Sequence, residues 1–362
     1  MDGLPSRFLR GALRKMGKVE NLNKVLSPCG LRVNGVDTAP NCTIYKINLD
    51  FGTNVKRALK MRAQVAIALD SNDFEMAQNG AHIEIREGHH NYGVSFSSLL
   101  PGFIGKHTLM DLSVIIGIDD NGRLVTADLA TAPHLLIAGG TGSGKSMFLH
   151  SVILSLLCNH RNDLKLVLID PKQTEFVYYS GMKMVEYINR ADAANQKFSD
   201  LLDVMKDRYS RMKKAGCRDI CEYNREPAKR YMPSIVVVVD EFAELIEEAR
   251  AEGKKLDLTI SRIAQMGRAC GIHLVIATQS PRRDVITGLI KANMPSKIAL
   301  KVANSTESRI IIDHAGAEKL QGHGDLILEL QNGTTTRVQA GLVTAECRNE
   351  IIKQVGGRNY VA

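Results

Sequence analysis

The chain has 362 residues, of which 44% are hydrophobic and 24% charged, and these proportions are typical of a globular protein large enough for two domains. Its 47 Lys and Arg outnumber its 39 Asp and Glu, and the resulting net charge of +8 favours a polyanionic partner such as nucleic acid or an anionic membrane surface. Tryptophan is absent and aromatic residues make up 5%, so a surface built from rows of stacked aromatic rings is not expected.

The cysteines and the apolar runs indicate the compartment. Seven cysteines are scattered without a framework spacing, which favours reduced thiols in a cytoplasm. Cys217 and Cys221 are four residues apart without a second Cys or His pair at zinc spacing, so we interpret them as structural. No apolar run approaches the length of a membrane span, and the first residues lack the apolar core of a signal peptide. We expect a cytoplasmic protein that is at most associated with a membrane surface.

Residues 1–34 form a basic N-terminal segment. Within it, residues 5–20 interleave basic and apolar side chains at helical spacing, although Gly11 and Gly17 weaken a helix. Such a helix could dock on DNA, on an anionic membrane or on a neighbouring subunit, or it could pack on its own domain. The pattern does not separate these alternatives.

Residues 35–112 are predicted to form a small α/β subdomain. Its predicted strands cover residues 43–49, 82–86 and 92–96, and its predicted helix covers 54–69. Residues 101–110 begin with Pro-Gly and are interpreted as a connector. This subdomain contains no pattern that indicates catalysis.

Residues 113–345 alternate strands with helices, and residues 346–362 are interpreted as a C-terminal tail. The strands are predicted at 134–138, 165–170, 235–240, 273–278, 297–302 and 325–330. Helices are predicted between them, notably at 145–158, 191–214 and 255–270. The first four strands are continuous apolar runs, which suits parallel strands covered on both faces. The alternation predicts an α/β fold with a doubly wound, mostly parallel sheet.

The strongest functional pattern is a phosphate-binding loop (P-loop). The loop and the residue after it are Gly139, Gly140, Thr141, Gly142, Ser143, Gly144, Lys145, Ser146 and Met147. The pattern G-x-x-x-x-G-K-[ST] is complete and lies between an apolar strand and a helix. Glycines let backbone N–H groups point at phosphate oxygens, and the helix adds its positive N-terminal end. We expect Lys145 to reach the β- and γ-phosphates of ATP and Ser146 to bind Mg²⁺.

A second pattern places two carboxylates at the end of the apolar strand at 235–240. Because the carboxyl ends of parallel strands meet at one edge of a sheet, Asp240 and Glu241 are expected near the P-loop. Asp240 is predicted to hold Mg²⁺ through water, and Glu241 to be the general base that orients and deprotonates the attacking water. Two adjacent acids favour hydrolysis over a nucleotide switch without turnover.

Two further side chains have two interpretations each. Gln279 follows the apolar strand at 273–278, and it either senses the γ-phosphate or bonds a loop as an ordinary strand-end residue. Arg268 lies six residues after Arg262 on the predicted helix 255–270. Spacing alone favours a solvated surface arginine there, and the alternative is an arginine that enters a neighbouring subunit's nucleotide site.

Several segments resemble the motor region of the FtsK/SpoIIIE family of double-stranded DNA translocases. They are PHLLIAG at 133–139, IDPK at 169–172, MKDRY at 205–209, YN at 223–224, VDEFA at 239–243, AQ at 264–265, RA at 268–269, GIHLV at 271–275, ATQ at 277–279, DVITGLIKAN at 284–293, SR at 308–309, AGAEKL at 315–320 and GHGDL at 322–326. The resemblance covers essentially all of residues 116–340, and the preceding subdomain is matched more weakly.

The resemblance implies a RecA-like P-loop NTPase that assembles into a ring, typically a hexamer. Double-stranded DNA would thread the centre, and ATP with Mg²⁺ would bind between subunits. Arg268 falls on the family's trans-acting arginine finger, and Gln279 falls on its sensor position. The DNA contacts implied are those of Arg282, Arg283, Lys291 and Arg309.

The chain departs from the family pattern in three respects. Ser280 stands where the family commonly has Arg after Thr-Gln, and a family lysine is missing in residues 304–307. The sequence therefore does not decide which side chains contact the DNA phosphates. The family's division translocases also carry a membrane region and a C-terminal winged-helix domain, for which this sequence shows no counterpart. We therefore expect a bare motor, and a membrane-bound or DNA-reading partner protein is a further hypothesis.

Two functional hypotheses follow. The first is an ATP-driven DNA translocase that grips the phosphate backbone without reading bases, so that its binding is non-specific and salt-sensitive. The second is a coupling or packaging ATPase that docks on a conjugation, secretion or phage assembly and moves DNA or protein through it. The short length and the missing membrane region suit a phage, plasmid or mobile-element protein.

Overall fold

The computed structural model describes residues 17–38, 42–49, 55–71, 74–88, 94–104, 112–159, 164–226 and 230–356. Most of the basic segment at 5–20, the start of the strand predicted at 92–96, most of the connector at 101–110 and the end of the tail lie outside these residues. The chain divides into two compact units. The smaller comprises residues 1–91 and 120–122, and the larger comprises residues 92–119 and 123–362.

The smaller unit is a four-stranded antiparallel sheet with helices. Its strands are β1 (Gly35–Thr38), β2 (Cys42–Asn48), β3 (Phe74–Asn79) and β4 (His82–Gly88), in the order β1-β2-β4-β3. Its helices are α1 (residues 17–26), α2 (Val55–Leu59) and α3 (Arg62–Leu69). The helix predicted at 54–69 is therefore two helices. Leu22, Tyr45 and Ile85 are fully buried members of the core of this unit.

The larger unit is built on a ten-stranded mixed sheet in the described residues. The strands are β5 (Ser113–Asp119), β6 (Leu124–Asp128), β7 (His134–Ala138), β8 (Leu164–Ile169), β9 (Val185–Ile188), β10 (Ser234–Val239), β11 (Ile272–Thr278), β12 (Ser296–Leu300), β13 (Asp325–Glu329) and β14 (Thr335–Gln339). Their order is β6-β5-β14-β13-β12-β7-β11-β10-β8-β9. The six strands from β12 to β9 pair in parallel, and the other four extend the sheet with antiparallel pairs.

Helices cover both faces of this sheet. They are α4 (Phe96–Phe103), α5 (Lys145–Asn159), α6 (Ala191–Ala215), α7 (Ile220–Asn224), α8 (Phe242–Ala251), α9 (Leu256–Met266), α10 (Gly288–Asn293), α11 (Ser305–Ile312) and α12 (Ala345–Gly356). Successive residues of a strand point to opposite faces, so Leu136 joins the core with α6, α8 and α9, while Leu135 joins the core with α4, α5 and α12. Both faces are buried, which explains the continuous apolar strands.

The structure confirms the α/β fold with a mostly parallel doubly wound core, and it differs from the sequence prediction in detail. β5, β6, β9 and β14 were not predicted, and β13 is antiparallel. Phe96, predicted at the end of a strand, begins α4, because Phe96, Leu99 and Phe103 have helical spacing and are buried together. Within the interpreted tail, α12 buries Ile351 and Ile352 in the core of the α5 face.

None of the helices in the described ranges combines the length and the apolar character that a membrane crossing requires.

Candidate functional site

The P-loop connects β7 to α5, and its backbone is tied to neighbouring strands. The Gly139 N–H donates to the Thr278 carbonyl at 3.3 Å, and the Gly140 N–H donates to the Lys301 carbonyl at 2.8 Å. α5 begins at Lys145, and its first N–H groups have no partner within the helix and carry its positive dipole end. A loop held in this way before a helix N-terminus is suited to bind phosphate oxygens.

Gly144 is required by a close approach of two backbone segments. Its φ is +98°, and a Cβ there would lie 2.4 Å from the Gly324 nitrogen. The Gly324 N–H donates to the Ser143 carbonyl at 2.8 Å, which ties the P-loop to the turn before β13. The GHGDL segment at 322–326 therefore has a structural role at this loop.

Lys145 and Asp240 form a buried ion pair. The Lys145 Nζ lies 2.7 Å from the Asp240 Oδ1 and 2.8 Å from the Asp240 carbonyl oxygen. Their side chains are only 2% and 3% exposed. Burial raises the pKa of the Asp240 carboxyl above its ordinary value, while the charge of Lys145 and its hydrogen bond oppose that rise. The lysine is thus held at the edge of the sheet where β10 ends.

The oxygens at this edge fit Mg²⁺. Ser146 and Asp240, the two predicted ligands, offer the hydroxyl and carboxylate oxygens that this ion prefers. Asp170 adds a fully buried carboxylate after β8, and its Oδ1 has no hydrogen-bond partner among the described residues. In the described ranges no three or more His, Cys, Asp or Glu side chains are grouped to hold a metal by themselves. An ion here would therefore take part of its coordination from the nucleotide and water.

Glu241 is held by the end of β11. The Thr278 hydroxyl donates to the Glu241 Oε1 at 2.7 Å, and the Gln279 N–H lies 3.2 and 3.1 Å from its two carboxylate oxygens. The Ser280 N–H donates to the Thr278 hydroxyl oxygen at 3.1 Å, so the single proton of that hydroxyl is left for Glu241. The carboxylate of Glu241, a residue that is 4% exposed, is therefore oriented by its neighbours.

The side chain of Gln279 contacts the P-loop. Its Oε1 accepts a hydrogen bond from the Thr141 hydroxyl at 3.3 Å. The segment at the end of β11 that holds Glu241 therefore also touches the P-loop through Gln279, and the sensor role of Gln279 stays a prediction.

Sequence interpretation assigned no role to three other groups at this edge. The Lys172 Nζ lies 3.9 Å from the Glu241 Oε2, and Glu175 lies beside His150, with 3.5 Å between the His150 Nε2 and the Glu175 Oε2. Hydrogen bonding from His150, and secondly from Ser146, lowers the pKa of Glu175 although its burial acts in the opposite direction. The IDPK segment was a signal for Lys172, whereas nothing local in the sequence points to Glu175 or His150.

Arg268 lies at the opposite edge of the sheet. It is not on α9, which ends at Met266, but on a 3-10 helix, Arg268–Cys270, just before β11 begins at Ile272. β7 and β11 are parallel, with Ala138 beside Thr278, so the P-loop lies beyond the far end of β11. Seven strand residues separate the two places, about 20 Å, which an arginine side chain cannot span. The exposed Arg268 therefore cannot serve its own P-loop.

Three of the four residues predicted to contact DNA come together. Arg283, Lys291 and Arg309 line a cavity of about 440 Å³ formed by the loop after β11, α10 and α11. Thr287 caps α10, and Asn304 caps α11 by accepting two backbone hydrogen bonds.

The positive charges at this cavity differ in how free they are. Lys291 is 17% exposed, and its Nζ lies 2.6 Å from the Asp313 Oδ1, whereas Arg283 and Arg309 are exposed. Arg282 is not part of the cavity lining. It forms an ion pair with Glu247 on α8, lies 3.5 Å from Asp284, and has a raised pKa chiefly through its hydrogen bond to Glu247.

Together the fold and the site define a RecA-like P-loop NTPase: a parallel sheet whose strand ends assemble a phosphate-binding loop, its lysine and two acids at one edge. Residues 107–283 match the model of the FtsK/SpoIIIE family. The DNA translocase FtsK of Treponema pallidum is 36% identical over 350 residues, which are 92% of this chain and 43% of that protein. The DNA translocase SftA of Bacillus subtilis is 34% identical over 333 residues, 88% of this chain and 35% of that protein. The chain belongs to the FtsK/SpoIIIE family, and it spans less than half the length of these two relatives.

Solved structures share the fold. The pCW3 conjugation coupling protein TcpA, determined with ATPγS, has a TM-score of 0.67 at 24% identity and covers 93% of this chain and 99% of its own. The cytoplasmic domain of the type VII secretion ATPase EccC of Thermomonospora curvata has a TM-score of 0.63 at 24% identity, over 74% of this chain and 33% of its own. At these identities the likeness concerns the fold alone.

Proposed function

We propose that this chain is the motor of an ATP-driven double-stranded DNA translocase that hydrolyses ATP at the interfaces of a ring. The observation that carries the proposal is the separation of Arg268 from the P-loop of its own chain. Lys145, Asp240 and Glu241 stand at one edge of the sheet, and the exposed Arg268 stands at the other. In a heterologous ring, each subunit presents one such edge to the opposite edge of the next subunit.

The chain's own residues support hydrolysis at that interface. Lys145 exchanges the Asp240 carboxylate for phosphate oxygens, and Glu241, held by Thr278, takes a proton from the attacking water. Ser146 and Asp240 would hold Mg²⁺, which would supply positive charge against the phosphates. Gln279 reports on the phosphates through its contact with the P-loop.

Arg268 of one subunit completes the site of the next. A guanidinium beside the γ-phosphate stabilises the charge that develops there, worth on the order of 10³–10⁵ in rate. Ring assembly then becomes a condition of turnover, and we infer a homo-oligomer of hexameric type. DNA, threaded through the ring, is gripped at the cavity of Arg283 and Arg309 through its phosphates.

We assign duplex DNA as the substrate because the relatives are named DNA translocases. ATP and duplex DNA occur together in the cytoplasm, and we assign the chain to that compartment. A membrane-bound or DNA-reading partner protein stays a prediction.

The test is ATP hydrolysis by the whole chain with and without linear duplex DNA, combined with displacement of a triplex-forming strand. We expect turnover that DNA stimulates and displacement that requires ATP. Lys145→Ala should remove both, because its ammonium is the charge that reaches the phosphates. The matched control is Lys213→Ala, an exposed lysine on α6. Turnover that DNA leaves unchanged, with no displacement, would contradict the proposal, and stimulation by a protein partner alone would favour a coupling or packaging ATPase.

A further inference from the structure

The turn that carries Arg268 is held by two neighbouring residues of α6. The Tyr209 hydroxyl donates to the Met266 carbonyl at 2.8 Å, just before the turn. The Arg208 Nη1 donates to the Cys270 carbonyl at 2.6 Å, just after Arg268 and Ala269, and lies 3.5 Å from the Gly271 carbonyl oxygen. α6 therefore contacts the backbone on both sides of Arg268.

The guanidinium of Arg208 also reaches the strand next to β11. Its Nη2 donates to the Pro233 carbonyl at 2.7 Å, directly before β10. Arg208 is only 5% exposed, and burial lowers the pKa of its guanidinium, which nevertheless stays charged because an arginine does not deprotonate in proteins. Burying this charge is costly, and the charge-assisted hydrogen bonds to three backbone carbonyls offset that cost and fix the carbonyls in place.

The carbonyls that Arg208 and Tyr209 bind are those that need a partner. Met266 is the last residue of α9, and Cys270 is the last residue of the 3-10 helix. The final carbonyls of a helix receive no hydrogen bond from N–H groups of the same helix. A cation at that place also interacts favourably with the negative end of the helix dipole.

Glycines make the same turn compact. A Cβ on Gly267 would lie 2.6 Å from the Ile263 and Ile272 carbonyl oxygens, and Gly271 has a φ of +69° with the Ile220 side chain in the way. The Ile272 N–H donates to the Gly267 carbonyl at 2.9 Å, which closes the turn. The backbone beneath Arg268 is therefore fixed, while its side chain stays exposed.

We propose that Arg208 and Tyr209 are positioning residues for Arg268: they hold the turn 267–271 so that Arg268 projects into the nucleotide site of the neighbouring subunit. This inference rests on the proposed function, and it gives the MKDRY segment at 205–209 a role. A fixed backbone lowers the cost of placing a long, flexible side chain beside a phosphate. Neither residue touches the nucleotide of its own subunit in this arrangement.

Two mild variants test the proposal. Arg208→Lys keeps a positive charge but cannot bridge three carbonyls with a planar fork, and Tyr209→Phe removes only the hydroxyl. With saturating ATP and duplex DNA we expect turnover to fall about tenfold for Arg208→Lys, and less for Tyr209→Phe, while ATP affinity in a filter-binding assay is unchanged. The matched control is Arg211→Lys on the same helix, whose Nη2 bonds the Arg230 carbonyl away from the turn. Wild-type turnover in both variants would overturn the proposal.

Mixed rings separate positioning of Arg268 from damage to the P-loop. In a random equal mixture of Arg208→Lys and Lys145→Ala chains, about a quarter of the interfaces pair an intact P-loop with a correctly held Arg268. We expect turnover clearly above that of Arg208→Lys diluted to the same extent with inactive chain. A mixture of Arg208→Lys with Arg268→Ala should show no such recovery, because both chains fail to deliver the guanidinium.

The reverse pattern, recovery with Arg268→Ala but not with Lys145→Ala, would place the defect in the variant's own P-loop and overturn the inference. The mixture of Arg268→Ala with Lys145→Ala reports on the proposed function itself. If that mixture recovers and the Arg208→Lys mixture does not, the positioning role alone is wrong. If neither recovers, the shared site is wrong and the positioning role is wrong with it.

Discussion

The two edges of the parallel part of the sheet use ionisable residues in opposite ways. At the edge where strands end, Lys145 and Asp240 are buried as an ion pair and the Glu241 carboxylate is hydrogen-bonded by β11. At the edge where strands start, burial lowers the pKa of His134 to about 3 and that of His273 to about 4, so both rings are neutral at pH 7.

The two edges differ in whether these charged side chains are buried or exposed. The charges of Lys145 and Asp240 at the strand ends are buried, where electrostatic interactions are stronger than in water. At the strand starts the two histidines are uncharged, whereas Arg268 is charged and exposed. Under the proposed function, the strand-end edge binds the nucleotide and the strand-start edge carries the Arg268 that completes the neighbouring subunit's site.

The largest expected effect tests whether Arg268 acts on another subunit. Arg268→Ala should lower DNA-stimulated turnover by on the order of 10³ or more, while ATP binding persists, because the guanidinium is needed only when charge develops at the γ-phosphate. Steady-state hydrolysis and nucleotide binding by the same preparation measure both. Arg262→Ala, an exposed arginine on α9, is the matched control. Normal turnover by Arg268→Ala would show that Arg268 is not needed for hydrolysis, and the proposed difference in function between the two edges would be wrong.

A second prediction concerns the base at the strand-end edge. Glu241→Gln keeps the shape of the side chain but cannot accept a proton, so hydrolysis should fall on the order of 10²–10⁴ while ATP stays bound. A quenched-flow measurement of a single turnover, with nucleotide retention followed in parallel, checks this. Glu248→Gln on the exposed face of α8 serves as control. Loss of ATP binding instead would mean that Glu241 supports the site rather than the chemistry.

A third prediction separates basic residues that the sequence treats alike. Arg283 and Arg309 line one cavity and are exposed, whereas Arg282 is paired with Glu247. The double variant Arg283→Ala with Arg309→Ala should weaken duplex binding and lower the slope of log affinity against log salt by about 2, one for each lost phosphate contact.

Arg282→Ala is the comparison for that double variant. Because its charge is already offset by Glu247 and Asp284, we expect a smaller loss of affinity and a nearly unchanged slope. Anisotropy titrations of one labelled duplex at several salt concentrations supply both quantities. An equal effect of Arg282→Ala would show that its ion pairs open on the DNA.

The smallest expected effect concerns the strand-start edge. Because the pKa of His134 is lower in the folded chain than its ordinary value, the unfolded chain binds the proton more readily, and stability falls as the pH drops below about 6.5. At pH 5 this costs about 2 kcal/mol, since that pH is about 1.5 units below the ordinary value.

His134→Asn should reduce this acid sensitivity, because an amide oxygen can accept the Leu274 N–H that now donates to the His134 Nδ1 at 3.1 Å. Thermal unfolding at pH 7.5 and pH 5 measures the change in Tm for wild type and variant. We expect a smaller drop in the variant. His314→Asn, with a ring that is 47% exposed, is the control, and an equal drop in all three proteins would rule out His134 as the cause.

Much of this molecule follows from local sequence. The apolar runs at 134–138, 235–240 and 273–278 became β7, β10 and β11, because residues buried on both faces must be apolar throughout. The sequence also predicted that the P-loop and the Asp240-Glu241 pair lie at the same edge of the sheet, because the carboxyl ends of parallel strands meet there. Their catalytic roles stay predictions, but their proximity is present in the structure.

Only the tertiary structure decided the remaining features, because each depends on residues far apart in the chain. Three examples are the hydrogen bond from Thr278 to Glu241, the contact of Gly144 with Gly324 and the antiparallel extension of the sheet. Each joins segments that are distant in sequence, and the local hydrophobic pattern does not encode such pairing. The same holds for Arg282 and Arg283, which are adjacent in sequence: Arg282 pairs with Glu247, whereas Arg283 lines the cavity. A residue's type and spacing determine which element it forms, whereas its charge acquires a role only from the neighbours that folding brings to it.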